Sequence, residues 1–146
     1  MFVDASAIVA ILTRETDADA LADVLDGATA PITSPIAIFE ATLGICRKRR
    51  ISVEAAEADL RTFFDVAGIR CVAITPDDAA TALTAFSRYG KGRRHPAQLN
   101  LGDSFAYAVA RNHLVPLLFT GEDFSKTDIA RATRSQAGGF RLGSET

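Results

Sequence analysis

Cysteine is scarce in this chain: its two copies, Cys46 and Cys71, lie far apart and belong to no C-x-x-C. That excludes a disulfide scaffold, and both thiols are read as small apolar side chains, one in a helical and one in a strand pattern. Histidine is equally rare. His95 stands beside Pro96 in a basic loop and His113 at a helix end, where structural or solvent roles suffice. No zinc-ligand spacing, Ser/His/Asp order, nucleophile elbow or phosphate-cradling glycine loop is present. Long apolar runs are missing too. The longest uncharged stretch, Gly27 to Phe39, is broken by Pro31 and Pro35 and falls short of the roughly 20 residues a bilayer span needs. The N-terminus has no basic region and carries Asp4 where a signal peptide would have no charge, so a cytoplasmic protein is expected. Finally, there is no excess of positive charge. Sixteen Lys plus Arg against eighteen Asp plus Glu give a net charge of -2, so any grip on nucleic acid must be local.

What is there is an α/β pattern in 146 residues, 48% of them hydrophobic. One domain over residues 1–146 is expected, with about 130–146 as a Gly-rich tail. Phe2 and Val3 end a short buried strand, helices follow at about 5–12 and 17–26, and residues 31–34 form a second strand. Ser34 caps a helix running to about Arg49, with Pro35 in its first turn. Ser52 opens another, with Ala56, Leu60, Phe63 and Ala67 on one face and Gly68 at its end. Residues 69–74 read as the clearest strand. Thr75 and Pro76 start a helix whose apolar contacts are expected at Leu83, Phe86 and Tyr89. A polar loop spans 90–99, a helix runs from Asn100 to about His113, and residues 116–120 form a buried strand. Short, continuously apolar strands alternating with helices predict a mostly parallel sheet covered on both faces, with ligands at the carboxyl ends of the strands.

That edge is where the acids gather. Asp4 follows the first strand and Asp123 the last, while Asp103 lies in the first turn of the helix before the last strand. Glu40, four residues after Ile36 and three before Leu43, sits on an apolar stripe of its helix. Each has an ordinary explanation: an N-cap for Asp4, a capping pair for Asn100 and Asp103, an Asx turn for Asp123, an ion pair with Arg47 for Glu40. Together they would repel, so a positive group is expected between them. A set of oxygens without His or Cys suits a hard divalent cation, Mg²⁺ or Mn²⁺.

Four stretches carry a resemblance: V-D-A-S-A at 3–7, E-A-x-L-G at 40–44, Y-G-K-G-x-x-H-P-A-x-L-N-x-G-D-S-F-A-Y-A at 89–108, and P-L-L-F-T-G-E-D-F-x-x-T-D-I at 116–129. In these the chain resembles the PIN-domain toxins of the VapC family. The resemblance implies a three-layer α/β domain with an acidic, Mg²⁺-binding pocket that hydrolyses RNA. It implies a catalytic quartet of Asp4, Glu40, Asp103 and Asp123, with Asp4, Asp103 and Asp123 as metal ligands. Asp123, immediately before Phe124, is preferred to the adjacent Glu122. Ser6 and Thr120 would support the ligands, Glu40 would orient water or hold a second ion, and Lys91, Arg93 and Arg94 would contact the RNA backbone. Family members dimerise, cleave tRNA or ribosomal RNA, and are inhibited by a cognate antitoxin that alone reads DNA. The helix at 36–49 is apolar nearly all round, with Ile36, Phe39 and Leu43 opposite Ile38 and Ile45, as expected of burial or of a partner surface. A non-catalytic RNA-binding or scaffolding PIN domain is the alternative. A haloacid-dehalogenase-like phosphatase would need a second Asp at position 6, which is Ser.

Overall fold

The computed structural model describes residues 1–134, so the expected tail lies almost wholly outside the described residues. Four two-residue strands form one parallel sheet: β1 (Phe2–Val3), β2 (Ile32–Thr33), β3 (Arg70–Cys71) and β4 (Leu117–Leu118). Their spatial order is β3-β2-β1-β4, with Phe2 in register with both Ile32 and Leu117. Apart from Thr33, the strands β1, β2 and β4 are apolar because helices cover the sheet. Phe2, Val3, Leu117 and Leu118 are buried, and the one hydroxyl among the inner strands, on Thr33, donates to the Val3 carbonyl at 2.9 Å.

Six helices enclose the sheet: α1 (Ala5–Leu12), α2 (Ala18–Asp26), α3 (Pro35–Arg49), α4 (Val53–Ala67), α5 (Pro76–Tyr89) and α6 (Leu101–Asn112). Their starts follow the expected chemistry. Ser34 accepts from the Ala37 amide and Ser52 from the Ala55 amide, while Thr75 with Asp78 and Asn100 with Asp103 form reciprocal capping boxes. Gly68, with φ +69°, ends α4 in the left-handed region. No helix of the described residues is long and apolar enough to cross a membrane.

Three expectations need correction. The strand expected over 69–74 is a strand only at Arg70 and Cys71, at the sheet edge beside β2. Both of those residues are exposed, so Cys71 is not a core side chain; Cys46 is half-buried, with its thiol on the Ile51 carbonyl. On α5, Leu83 is 71% exposed. The buried stripe is Asp78, Ala82, Ala85 and Tyr89, because small alanines let α5 lie close against α6. On α3, Ala37, Ala41 and Ile45 face the core, leaving Phe39 65% exposed and Leu43 at the surface.

Asp78 couples the two packed helices. Its carboxylate accepts from the Thr75 amide at 2.9 Å and from Asn112 Nδ2 at 2.8 Å. Asp78→Ala is expected to destabilise the protein by about 2 kcal/mol, through the lost cap and the stranded Asn112 amide. A urea midpoint within about 0.3 M of wild type would contradict this.

Candidate active site

Asp4 is the first residue after β1 and the N-cap of α1, where its Oδ2 accepts from the Ser6 amide at 3.0 Å. The capping explanation therefore holds, yet it engages one carboxylate oxygen and leaves the other. Asp103 repeats the arrangement at α6: it receives the Asn100 amide at 3.1 Å while its own amide donates to Asn100 Oδ1 at 2.9 Å. Glu40 reaches across from α3, and its carboxylate lies so close over Gly102 that a Cβ there would overlap it. These three acids, from α1, α3 and α6, line one cavity of about 330 Å³ together with Ser6, Gly44, Arg47 and Thr120.

The fourth acid stands nearer solvent. Asp123 is exposed, precedes a 3₁₀ turn (Phe124–Lys126) and makes no capping hydrogen bond, so the Asx-turn explanation fails. Its charge nevertheless acts on Asp103, and Glu122 is not among the groups that do. A larger cavity, about 810 Å³, lies at the opposite edge of the sheet between Met1, Arg111, Pro116 and Asp128. It gathers no acid cluster and lies off the carboxyl ends of the strands, where ligands bind in such sheets.

Burial first, and then mutual repulsion, sets the electrostatics. Asp4, 6% exposed, is pushed above the usual carboxylate range by desolvation, against the opposing Ser6 hydrogen bonds. Glu40 is raised by burial and by the Asp4 charge. Asp103 rises to about 7, through burial and the charges of Asp4, Asp123 and Glu40, in spite of its capping bond. Among the described residues none of the four acids is in an ion pair, whereas Glu57, Asp59 and Asp128 each have an arginine. Nor do any three of them, among the described residues, converge as a ready-made ligand set. Asp4, Glu40 and Asp103 border the cavity without closing into a cage. Unpaired, all-oxygen and only partly dehydrated, they fit a hard cation that keeps several of its waters and takes few protein ligands.

Three residues outside the expected catalytic and supporting set contribute to the site. Asp17, expected only near the start of α2, makes no cap bond there; its carboxylate accepts the Thr120 hydroxyl. The Thr120 amide in turn donates to Ser6 Oγ at 3.2 Å, tying the end of β4 to the start of α1. Gly102 provides the clearance for Glu40; a glycine inside a helix's first turn was the available signal. Arg47 lines the cavity without pairing with Glu40, contrary to the ordinary explanation for that acid. Lys91, Arg93 and Arg94 are exposed on the loop before α6, with the Arg93 guanidinium 5.7 Å from the Phe86 ring centre, and are not among the residues lining the cavity. His95 has a structural role: its ring packs edge-on against Tyr89 and its Nδ1 accepts from the Ala97 amide.

The PIN domain family model matches residues 1–130. The chain belongs to the PIN-domain VapC family. It is 43% identical to the ribonuclease VapC of Mycolicibacterium smegmatis over 133 residues, which is 89% of this chain and 98% of the relative. It is 40% identical to ribonuclease VapC42 of Mycobacterium tuberculosis over 132 residues, 90% and 98% of the two chains. Against the VapC ribonuclease R02377 of Rhizobium meliloti the identity is 39%, covering 88% and 98%. The crystal structure of M. tuberculosis VapC20, a sarcin-ricin loop cleaving toxin, superposes with a TM-score of 0.70 at 16% identity, covering 90% of this chain and 98% of that one. That likeness confirms the three-layer VapC architecture.

In this VapC-family protein the raised acids set a pH dependence of stability. A folded-state pKa of about 7 for Asp103, against 3.8 for the free side chain, contributes stability that is complete below about pH 4 and lost as pH rises through 7. Asp4 and Glu40 act with the same sign. Without divalent cation, the melting temperature is expected to fall from pH 5 to pH 8, and Asp103→Asn to flatten that fall. A melting temperature that rises across this interval in wild type would contradict the assignment.

Proposed function

We propose that this protein is a divalent-cation-dependent endoribonuclease toxin, using Mg²⁺ or Mn²⁺ to hydrolyse phosphodiester bonds in tRNA or ribosomal RNA in the cytoplasm. The observation that carries the reading is the meeting of Asp4, Glu40 and Asp103 at one cavity with no cationic side chain paired to them. The relatives' names, ribonucleases and a sarcin-ricin loop cleaving toxin, support RNA as the substrate class.

In this mechanism Asp4 and Asp103 hold the cation, with Asp123 closing the site from the solvent side. Once bound, the cation polarises a phosphate oxygen and acidifies water. Ser6 and Asn100 fix the two inner ligands by donating backbone amides to one oxygen of each. Thr120, steered by Asp17 and anchored on Ser6, keeps the last strand's end in place beside them. Glu40 accepts a hydrogen bond from the attacking water and orients it for in-line displacement, or holds a second ion. Asp103 must release its proton before it can coordinate, so cation affinity should rise with pH through about 7. Lys91, Arg93 and Arg94 contact the RNA backbone outside the cavity, which sets register without reading bases.

The partner in this reading is a VapB-type antitoxin, which supplies an arginine to the carboxylates by bidentate pairing and so blocks the cavity. Contact with DNA comes only through that antitoxin. Exposed Phe39 and Leu43 on α3, and Leu83 and Leu101 on α5 and α6, support coverage of this surface by an antitoxin and by a second copy of the chain.

Purified protein incubated with total tRNA and ribosomal RNA is expected to cleave with Mg²⁺ or Mn²⁺ and not with EDTA. Asp103→Asn is expected to stay folded while losing about 100-fold or more in rate. Undiminished cleavage by Asp103→Asn, or cleavage that persists in EDTA, would refute the mechanism.

A further inference from the structure

We propose that Arg47 forms a phosphate subsite at the mouth of the acidic cavity, holding a backbone phosphate of single-stranded RNA next to the one that is cut. The inference rests on the ribonuclease reading above and adds a residue to it. Glu40, Gly44, Arg47 and Lys48 form one stripe of α3 along the cavity wall, spaced i, i+4, i+7 and i+8. Seven residues at a rise of about 1.5 Å place Arg47 roughly 10 Å along the helix axis from Glu40.

The run Arg47 to Arg50 resembles an ordinary solvated helix end, yet its members are differently engaged. Lys48 pairs with Glu15, which also lines the cavity. Arg49 pairs with Asp59 at 3.1 Å and donates to the Leu12 carbonyl. Arg50 is the left-handed cap of α3 and does not line the cavity. Arg47 lines it and has no ion pair or side-chain hydrogen bond among the described residues. A guanidinium on the same stripe as Glu40 would be expected to fold onto that carboxylate, but Glu40 is drawn away over Gly102.

Charge supplies the rest. A pocket of carboxylates repels an RNA backbone, and a net charge of -2 gives no overall attraction to offset it. An unpaired cation at the pocket mouth lowers that barrier locally. A planar fork of N–H donors also matches the paired non-bridging oxygens of a phosphodiester better than an ammonium does.

The test uses a short fluorescein-labelled single-stranded RNA and full-length protein carrying Asp103→Asn, so that the probe stays intact. Adding Arg47→Gln is expected to weaken binding about fivefold and to reduce the salt dependence of log K by about 0.7, the share of one phosphate contact on a single strand. Arg47→Lys should recover part of the affinity, and Arg50→Gln should match its parent. With Asp103 restored, Arg47→Gln should raise KM while the melting temperature and Mn²⁺ affinity stay at wild-type values. An unchanged salt slope and unchanged affinity in Arg47→Gln would overturn the subsite while leaving Mg²⁺-dependent cleavage by wild type untouched. Failure of the parent to bind RNA at all, with no cleavage by wild type, would overturn both readings.

Discussion

The burial at one cavity of carboxylates that, among the described residues, no cation pairs with is the constraint on which this structure turns. Asp4, Glu40 and Asp103 are brought to one cavity by three helices; burial raises the pKa of each, the Asp4 charge adds to the rise at Glu40, and the charges of Asp4, Asp123 and Glu40 add to it at Asp103. Such a cluster weakens the fold unless something offsets it. Part of the offset is local: the amides of Ser6 and Asn100 each stabilise one ionised oxygen at a helix N-terminus, where a negative charge is favoured. In the proposed mechanism a divalent cation would supply the rest.

This resolves an apparent choice between structural and functional roles. Asp4 and Asp103 both cap helices, and neither cap uses the whole carboxylate. Each cap holds its carboxylate at a helix N-terminus that borders the cavity, so the helical explanation for these acids is compatible with the proposed role. The supporting contacts follow the same logic. Asp17, Thr120 and Ser6 form a chain across β4 and α1, and Gly102 gives Glu40 the clearance to approach α6. Around the cavity the positive charges are sorted: Lys48 and Arg49 are held by acids of α4 and of the α1–α2 connection, leaving Arg47 facing the pocket.

Much of this was legible in the residues. Parallel topology, helix starts at Ser34, Ser52, Thr75 and Asn100, and the collection of acids at the carboxyl edge all follow from local chemistry that tertiary packing did not override. Where packing decided, the pattern misled. Residues 69–74 look like a core strand, but the β3 edge has only one neighbour to pair with. Leu83 carries more apolar surface than Ala82 or Ala85, yet close approach of α5 to α6 favours the small side chains. Asp17 owes its contact to Thr120, 103 positions away in the chain, which no spacing rule could reveal. Lys91, Arg93 and Arg94, the expected RNA contacts, do not line the pocket, whereas Arg47, on the helix that carries Glu40, does.

The most direct test of the central claim is a crystal of the protein grown with Mn²⁺ and measured at the manganese absorption edge. An anomalous peak within about 2.2 Å of carboxylate oxygens of both Asp4 and Asp103 is the predicted result. A fully ionised, well-ordered cavity without manganese, or an ion held elsewhere with Asp4 and Asp103 turned away from each other, would contradict it.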